Sequence, residues 1–546
     1  MAPSINLQGS RVAIYGLGRS GLAIARACLS VGATPTVYDT ALPEQMVKQD
    51  VLEAARELGI ELRLGWGGEF DPEVMDVLVT NPAVDMRSPV LRSAKASGIR
   101  IWSEIEFAFQ LLRMRRAGLE EHGSGPPMAA PIIAITGTNG KSTTTVMTYL
   151  ALRECGIDAV LCGNIFGTGL PEVPMTEAAL HWKPGQVLVV EVSSFQLEWV
   201  EDFRPAVAGI TNIWPDHLDR YQNFEDYAAT KHRIFSAQTS GDFAVVRAFD
   251  PNVRAPGSEV DSAYRGRRGG HGRDGQDTHG RDAHATVLTF GSQGTDAQVM
   301  EEEIRILDKS IRTDEMRVIG VHNYSNAAMA GLLGYAMLRW MADRVSDGSS
   351  FSPEADIHAR NLLLEAQAAM LEKRNAKRNV YSIRIPQPEE FSALPEPIVT
   401  ALKAFPGIEH RMELLGEKNG IKVINNSMCT NPDAVVKSAQ SIKGPNHLII
   451  GGKDKDLPWL PVKHYLANGM HKAYLFGEAK ELLNDALGGG FPTYTTLQEA
   501  FQAATEKARP GEVIMLAPGC ASTDQFHDFR DRGNVFKSIA REWLNT

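Results

Sequence analysis

Residues 137–143 constrain this chain more than any other stretch of its sequence. They read Gly-Thr-Asn-Gly-Lys-Ser-Thr, follow the apolar run Ile132–Ile135 and precede helical periodicity that begins near Thr144. In such a strand–loop–helix unit, backbone amides and the positive end of the helix hold phosphate groups, a lysine reaches the outer phosphates and a hydroxyl serves Mg2+. The loop is not a strict Walker A motif, because Ile135 stands where the first glycine of that motif would fall. We therefore predict an ATP site made of Gly137, Thr138, Asn139, Gly140, Lys141, Ser142 and Thr143.

A second glycine-rich turn lies near the start of the chain. Gly16–Gly21 has the pattern GxGxxG between a predicted strand, Arg11–Tyr15, and a predicted helix, Leu22–Leu29. Glycines there allow close backbone approach to a phosphate, and Asp39 after the next strand is placed to accept from a ribose or similar hydroxyl. The pattern predicts a nucleotide phosphate site but not which nucleotide, NAD being the usual guess. A βαβ turn without a ligand remains the alternative.

Short apolar runs alternate with helical patterns in three blocks, which indicates an α/β fold with parallel sheets. We predict a Rossmann-like domain over 1–104, a central P-loop domain over 105–408 and a second Rossmann-like domain over 409–546. The predicted strands are Arg11–Tyr15, Thr36–Tyr38, Asp76–Thr80, Ile132–Ile135, Val187–Val192, Val207–Ile213, Ile421–Ile424, His447–Ile450, Lys472–Phe476 and Glu512–Leu516.

The central domain is predicted to carry two insertions after a linker rich in Gly, Pro and Ala at 116–131. Residues 261–284 are almost entirely polar residues and glycine, so we expect a disordered loop, and we assign no metal site to its histidines His271, His279 and His284. Residues 341–387 are expected to hold a helix over Ile357–Glu372 and a strand over Tyr381–Ile385.

Charge and cysteine usage exclude several classes of protein. The 546 residues carry a net charge of −10 without a basic block, which argues against nucleic-acid binding. Five scattered cysteines argue against a disulfide framework and indicate a reducing compartment. There is no secretory pattern at the start and no apolar run of about 18 residues, so we expect a cytoplasmic protein without a membrane span.

Three further features fit a phosphate-handling site. Glu191 ends an apolar strand, Asp216–Arg220 follows another and contains His217 between acidic residues, and Lys231 lies on the next helical segment. Each has an ordinary alternative, because a strand-end Glu or a helix Lys is often simply solvated.

Together the motifs resemble the Mur ligases. The resemblance rests on the phosphate loop, the GLGRSGLA start and the following segments, in order along the chain: Gly163–Ile165, Glu191–Glu198, Asp216–Arg220, Lys231, His322–Asn326, His410–Glu413 and Ala517–Phe526. It implies an ATP-dependent ligase that adds D-glutamate to UDP-N-acetylmuramoyl-L-alanine through an acyl phosphate, in peptidoglycan precursor synthesis, and that acts as a monomer.

The resemblance also implies roles for individual residues. The UDP substrate would be bound by Gly18, Arg19, Ser20, Asp39, Thr40, Asn164 and Ser193. Asn326, Arg411 and Asn426 would contact ATP, and Thr430, Lys455, Ser522 and Phe529 would hold D-glutamate. Catalysis would involve Lys141, His217 and Lys231. Two Mg2+ ions would be bound, one by Ser142 and Glu191 and the other by His217 and a carbamylated Lys231, since an ammonium cannot ligate a cation.

Four positions, three of them in one motif, depart from the family's pattern. Residues 426–431 read Asn-Ser-Met-Cys-Thr-Asn where the family usually has Asp-Ser-Lys-Ala-Thr-Asn, so Met428 supplies no charge, although Asn426 can still hydrogen-bond. Ala41 stands where a uridine-side arginine is often found.

Three other functions stay open at this point. A Mur-type ligase could use another amino acid or acceptor, and Met428 would suit a nucleotide-binding regulatory protein without turnover. A dehydrogenase is suggested only by GxGxxG and leaves the phosphate loop unexplained.

Overall fold

The computed structural model describes residues 6–46, 49–117, 130–217, 220–254, 285–347, 352–378, 392–442 and 444–546. The chain folds as two compact units. The first comprises Met1–Phe166, Leu170–Ser310 and Ser325–Leu402, and the second comprises Gly167–Gly169, Ile311–Tyr324 and Lys403–Thr546. The described residues form three sheets in which parallel pairs dominate, so the predicted α/β class is confirmed.

The first sheet of the first unit has the strand order β3-β2-β1-β4-β5, with all its pairs parallel. Its strands are β1 (Arg11–Tyr15), β2 (Thr34–Asp39), β3 (Glu61–Leu64), β4 (Val77–Thr80) and β5 (Ile101–Ser103). The helices around it are α1 (Arg19–Ser30), α2 (Gln49–Glu57), α3 (Pro89–Ala96) and α4 (Glu104–Ala117), with a 3-10 turn at Pro43–Gln45.

The second sheet has the order β14-β13-β12-β11-β10-β9-β6-β8-β7, with β13 antiparallel to β12. Its strands are β6 (Ala130–Thr136), β7 (Ala159–Gly163), β8 (Val187–Glu191), β9 (Pro205–Ile210), β10 (Phe243–Arg247), β11 (Thr286–Gly291), β12 (Ala297–Val299), β13 (Glu303–Ile306) and β14 (Lys309–Arg312). The helices in this part of the chain are α5 (Lys141–Glu154), α6 (Met175–Leu180), α7 (Ser194–Leu197), α8 (Phe224–His232), α9 (Val321–Asp347), α10 (Pro353–Arg378) and α11 (Glu396–Ala404), with 3-10 turns at Arg233–Phe235 and Thr313–Glu315.

One apolar core joins the first two sheets. It contains side chains of β1, α4 and β6, such as Ile14, Phe107 and Ile132, all almost fully buried. Helix α4 is buried along its first nine residues, including two glutamates, Glu104 and Glu106. This helix therefore connects the two sheets through the interior.

The second unit contains the third sheet, in the order β15-β16-β20-β17-β18-β19. Its strands are β15 (Glu413–Lys418), β16 (Ile421–Asn425), β17 (Asn446–Gly451), β18 (Lys472–Phe476), β19 (Thr493–Tyr494) and β20 (Val513–Gly519). Its helices are α12 (Pro432–Gln440), α13 (Leu460–Leu466), α14 (Lys480–Leu487), α15 (Leu497–Lys507) and α16 (Phe529–Asn545). Two buried apolar clusters stabilise it.

Every predicted strand that lies in the described residues is present, with shifts of up to three residues at its ends. Two helices begin earlier than predicted, because in each the loop ends at a glycine and the chain turns directly into helix: α1 begins at Arg19 and α5 at Lys141. The phosphate-loop lysine therefore lies on the first turn of α5.

Several predictions concern residues outside the described ranges. These are the loop 261–284 with its histidines, the strand Tyr381–Ile385, most of the linker 116–131, and Asp219. The predicted helix Ile357–Glu372 lies within α10. The five cysteines all lie within the described residues, where they are buried and free. In the described part of the chain, no helix has the length and apolarity needed to span a membrane.

Candidate active site

The phosphate loop requires glycine at two positions. Gly137 and Gly140 adopt φ of 147° and 82°, which a residue with a side chain rarely adopts. A Cβ atom at Gly137 would overlap the hydroxyl of Thr211, and one at Gly140 would overlap the amide of Asn326. Asn326, predicted as an ATP contact, therefore lies directly against the loop.

The neighbouring strand β9 fixes the shape of this loop. Beyond its end, Thr211 Oγ1 donates to the Asn139 carbonyl over 2.6 Å. The amide side chain of Asn212 donates to the same carbonyl over 3.0 Å and accepts from the Asn139 N–H over 3.1 Å. The loop backbone is thereby held in place before any phosphate is bound.

Lys141 lies over its own loop. Its Nζ donates to the carbonyls of Gly137 (3.1 Å) and Thr138 (2.9 Å). Ser142 is the second residue of α5, so its hydroxyl is next to the free N–H groups at the start of that helix. The loop and the first helical turn thus carry a lysine side chain and a hydroxyl at the predicted phosphate site.

Lys231 approaches the same loop from α8. Its Nζ donates to the Gly137 carbonyl over 2.8 Å, and its side chain is almost fully buried. Burial, together with repulsion from Lys141, lowers the pKa of Lys231 well below its ordinary value, against the opposing attraction of Asp216 and Glu191. The lowered pKa favours the neutral amine, which is the nucleophilic form of this side chain.

Glu191 and His217 flank these lysines. Glu191 is the buried last residue of β8, the strand paired with β6 on the side opposite β9. His217 has a left-handed backbone, with φ of 53°, and its ring contacts Phe195 at 4.8 Å between centroids. Left-handed backbone at a non-glycine residue is costly and is concentrated at functional sites.

A cavity of about 380 Å³ opens beside these groups. Six residues predicted from sequence line it: Lys141 of the ATP set, Ser20, Asn164 and Ser193 of the UDP-substrate set, and His217 and Lys231 of the catalytic and metal sets. Residues without a predicted role also line it, among them Asn81, Pro82, Ala83, Phe195, Gln196, Asp216 and Tyr227. The structure thus brings the phosphate-loop lysine to one cavity with three of the predicted UDP-substrate residues.

Four other predicted UDP-substrate residues do not line this cavity. Gly18 precedes α1, and Thr40 is exposed. Arg19 donates to the Glu172 carbonyl over 3.0 Å. Both carboxylate oxygens of Asp39 accept from backbone N–H groups, one from Leu17 (2.7 Å) and one from Ala41 (2.9 Å). Asp39 therefore stabilises the glycine-rich turn through hydrogen bonds. The sequence predicted a ribose contact for Asp39 but not this structural role.

In the second unit, Asn426 supports the turn that carries Arg411. Its Oδ1 accepts from the Met412 N–H (3.1 Å), and its Nδ2 donates to Ser438 Oγ (2.8 Å). Asn426 is buried, and the oxygen and the nitrogen of its amide each make one hydrogen bond inside this unit.

The predicted amino-acid residues gather at the carboxyl edge of the third sheet. Thr430, Lys455 and Ser522 follow the adjacent strands β16, β17 and β20, and Phe529 begins α16. The buried guanidinium of Arg532 draws two of these loops together by donating to the carbonyls of Ser427 (2.9 Å), Cys520 and Ala521 (3.2 Å each). Sequence reasoning did not identify Arg532.

Sequence reasoning also gave no role to several residues that contact the phosphate loop. The order of the strands in the sheet, once known, points to some of them. Because β8 and β9 flank β6, the residues after both strands must lie beside the phosphate loop, which points to Thr211 and Asn212. Tyr227, whose hydroxyl lies 3.1 Å from Thr138 Oγ1, is one helical turn from Lys231. No sequence signal identifies the wall formed by 81–83.

Comparison with known proteins agrees with this geometry. The Mur ligase MurD-like N-terminal domain matches residues 10–103, the Mur ligase middle domain matches 135–334, and the Mur ligase glutamate ligase domain matches 410–520.

Similar full-length proteins include two named UDP-N-acetylmuramoylalanine–D-glutamate ligase. The one from Caldanaerobacter subterraneus subsp. tengcongensis is 31% identical, with 98% of this chain and 99% of that protein covered. The one from Geobacter sp. strain M21 is 31% identical, with 98% of each covered. The chain belongs to the Mur ligase family.

Proposed function

We propose that this protein joins D-glutamate to UDP-N-acetylmuramoyl-L-alanine at the expense of ATP, a step of peptidoglycan precursor synthesis. The observation that carries the proposal is the single cavity in which Lys141 of the phosphate loop lies with Asn164 and Ser193. An ATP phosphate and a sugar-linked carboxylate could meet there. The names of the full-length relatives support the choice of substrates.

The proposed chemistry has two steps. The alanyl carboxylate attacks the γ-phosphorus of ATP, which releases ADP and leaves an acyl phosphate. The amine of glutamate then attacks the carbonyl carbon, loses a proton and expels phosphate. In the first step two anions approach each other, so Lys141 would exchange its loop carbonyls for phosphate oxygens and stabilise the charge.

The residues present fit a pair of Mg2+ ions if Lys231 is carbamylated. Ser142 and Glu191 would hold one ion, and His217 and Lys231 the other. Among the described residues no three His, Cys, Asp or Glu side chains form a metal cluster, but Mg2+ is commonly held by one or two carboxylates plus substrate phosphates. The buried Lys231, with its lowered pKa, is suited to add to carbon dioxide. When bound, the ions would supply positive charge against the triphosphate.

We assign to the second unit residues that would bind the amino acid and two that would contact ATP. Thr430, Lys455, Ser522 and Phe529 would hold D-glutamate, whose two carboxylates call for a cation such as Lys455. Arg411 and Asn426 of this unit, together with Asn326 of the first, would contact the nucleotide. Met428 is half-buried and contributes no charge, which leaves Arg411 as the cation of that set.

The setting follows from the chemistry. A reaction that consumes ATP and a UDP-sugar would take place in the cytoplasm, and we propose a monomer with domain limits at 1–104, 105–408 and 409–546. Gly18, Arg19, Ser20, Asp39 and Thr40 would serve the uridine part of the substrate.

Phosphate release with purified protein tests the proposal. ATP, Mg2+ and UDP-N-acetylmuramoyl-L-alanine are supplied with single amino acids. Release with D-glutamate, and not with L-glutamate or neutral amino acids, is expected. Release only with another amino acid would overturn the substrate assignment, and no release with any amino acid would favour a regulatory protein.

A further inference from the structure

Arg220 joins two segments whose residues line the cavity. Its guanidinium donates to the carbonyls of Pro82 (2.8 Å) and Val84 (2.7 Å), which follow β4 of the first sheet. It also makes a two-pronged ion pair with Glu198, at 3.0 and 2.6 Å, in the segment that follows β8 of the second sheet. Arg220 is nearly buried and the side chain of Glu198 is fully so.

The same guanidinium supports a second wall residue. Its central carbon lies 3.9 Å from the centroid of the Phe195 ring, a cation–π geometry. Phe195 and Pro82 both line the cavity, whereas Arg220 does not. Arg220 therefore lies outside the cavity lining and contacts lining residues of both segments, Pro82 and Phe195.

Arg220 is also tied to the turn that carries His217. The Arg220 N–H donates to the His217 carbonyl over 2.9 Å. This bond is made by the main chain, so it remains when only the Arg220 side chain is changed.

We propose that Arg220 is a positioning residue for the UDP substrate: it fixes the 81–84 segment against Phe195, so that the cavity fits the sugar-peptide part of that substrate. The proposal rests on the proposed function. Only a planar fork with five donors can serve a carboxylate and two carbonyls together. A lysine would keep the charge opposite Glu198 but would lose the contacts with segment 81–84.

A chemically matched arginine provides the control. Arg233 donates to the carbonyls of Glu198 (2.5 Å) and Val200 (2.6 Å). Both acceptors lie in the segment that follows β8, the same segment that carries Phe195. We expect loss of these bonds to lower stability but to leave the position of segment 81–84 against Phe195 unchanged.

The experiment compares Arg220→Lys with Arg233→Lys. Phosphate release is measured while UDP-N-acetylmuramoyl-L-alanine or ATP is varied, and thermal unfolding checks that both variants fold. We expect Arg220→Lys to raise KM for the UDP substrate roughly tenfold, the size of losing charge-assisted hydrogen bonds, with KM for ATP unchanged. Arg233→Lys should change neither KM.

Three results would overturn the proposal. They are an unchanged KM in Arg220→Lys, an equal rise in both variants, or an equal rise in KM for ATP. In each of these the wild-type protein still turns over, so the proposed function stands. A wild-type protein without turnover would instead contradict the proposed function. Calorimetric binding of UDP-N-acetylmuramoyl-L-alanine to wild type and Arg220→Lys would then test whether Arg220 positions the wall for this substrate. Equal affinity, or no binding to either protein, would refute that role.

Discussion

The Nζ atom of Lys231 lies 2.8 Å from the carbonyl oxygen of Gly137, the first residue of the phosphate loop. The amine therefore reaches the nucleotide site from a separate helix and is buried there beside Lys141, whose charge disfavours its protonation. Carbamylation, as proposed above, would turn this amine into an anionic metal ligand, which is the basis of the first prediction.

Replacement of this amine should be reversible by added acid. Lys231→Ala should reduce the rate of phosphate release by about a hundredfold or more, the size of losing one preorganised charge at a transferring phosphoryl group. Formate or acetate should restore part of it, because a small carboxylate can replace the carbamate. Lys183→Ala, which removes an exposed lysine of the same domain, should keep full activity and gain nothing from acetate. Full activity in untreated Lys231→Ala would refute the carbamate.

The contact between Gly140 and Asn326 makes a second prediction. Gly140→Ala should weaken binding of a non-hydrolysable ATP analogue in calorimetry, since the new methyl group overlaps the Asn326 amide at a φ that itself costs about 1–3 kcal/mol for such a residue. Gly241→Ala is the control, because a methyl group there meets nothing within 4 Å. Equal affinity in both variants would show that the loop can adapt.

The local parts of this site were predictable from sequence. The strand before the phosphate loop, the glycines within it and the acidic residue that ends β8 are all adjacent in sequence to the elements that position them. Spacing alone predicted Lys141 and Ser142 as parts of a phosphate loop, whereas Glu191 was one of two possibilities until the family resemblance suggested a metal role.

The parts that depend on packing between distant segments were not predictable. Arg220 was visible in its motif, but its carbonyl partners are more than a hundred residues away, and backbone carbonyls leave no trace in a sequence. Asp39 likewise had the expected position, yet its oxygens face two nearby N–H groups. The lowered pKa of Lys231 required knowledge of its burial.

The buried Glu106 predicts a pH dependence of stability. One of its oxygens accepts from the N–H groups of Glu201, Asp202 and Phe203, at 2.7–3.0 Å, yet burial raises the pKa of this carboxyl. In the unfolded chain the Glu106 carboxyl loses its proton near the ordinary glutamate pKa of 4.5. In the folded protein the pKa is raised, so the carboxyl keeps its proton to a higher pH. The contribution of Glu106 to stability should therefore fall as the pH rises from 4.5 through the raised pKa, and then level off.

Urea unfolding of the wild type and Glu106→Gln across this pH range measures the effect. The free energy of unfolding of the wild type, relative to the variant, should decrease with rising pH, because glutamine does not titrate. Glu57→Gln, at an exposed helical position, should track the wild type closely. A difference between wild type and Glu106→Gln that stays constant with pH would mean that the buried carboxyl does not titrate in this range.

Two lysines on one loop of the second unit allow a specific contact with the amino acid to be distinguished from attraction by positive charge in general. Lys453 and Lys455 follow β17 and are both exposed, but only Lys455 is proposed to receive a glutamate carboxylate. Lys455→Ala should raise KM for D-glutamate roughly tenfold, as expected for loss of a charged hydrogen bond, and leave KM for ATP unchanged. Lys453→Ala should alter neither constant, since its backbone pairing with Ala521 remains. If the two variants raise KM for D-glutamate equally, the loop attracts the amino acid only through its overall charge, and Lys455 has no specific part in holding it.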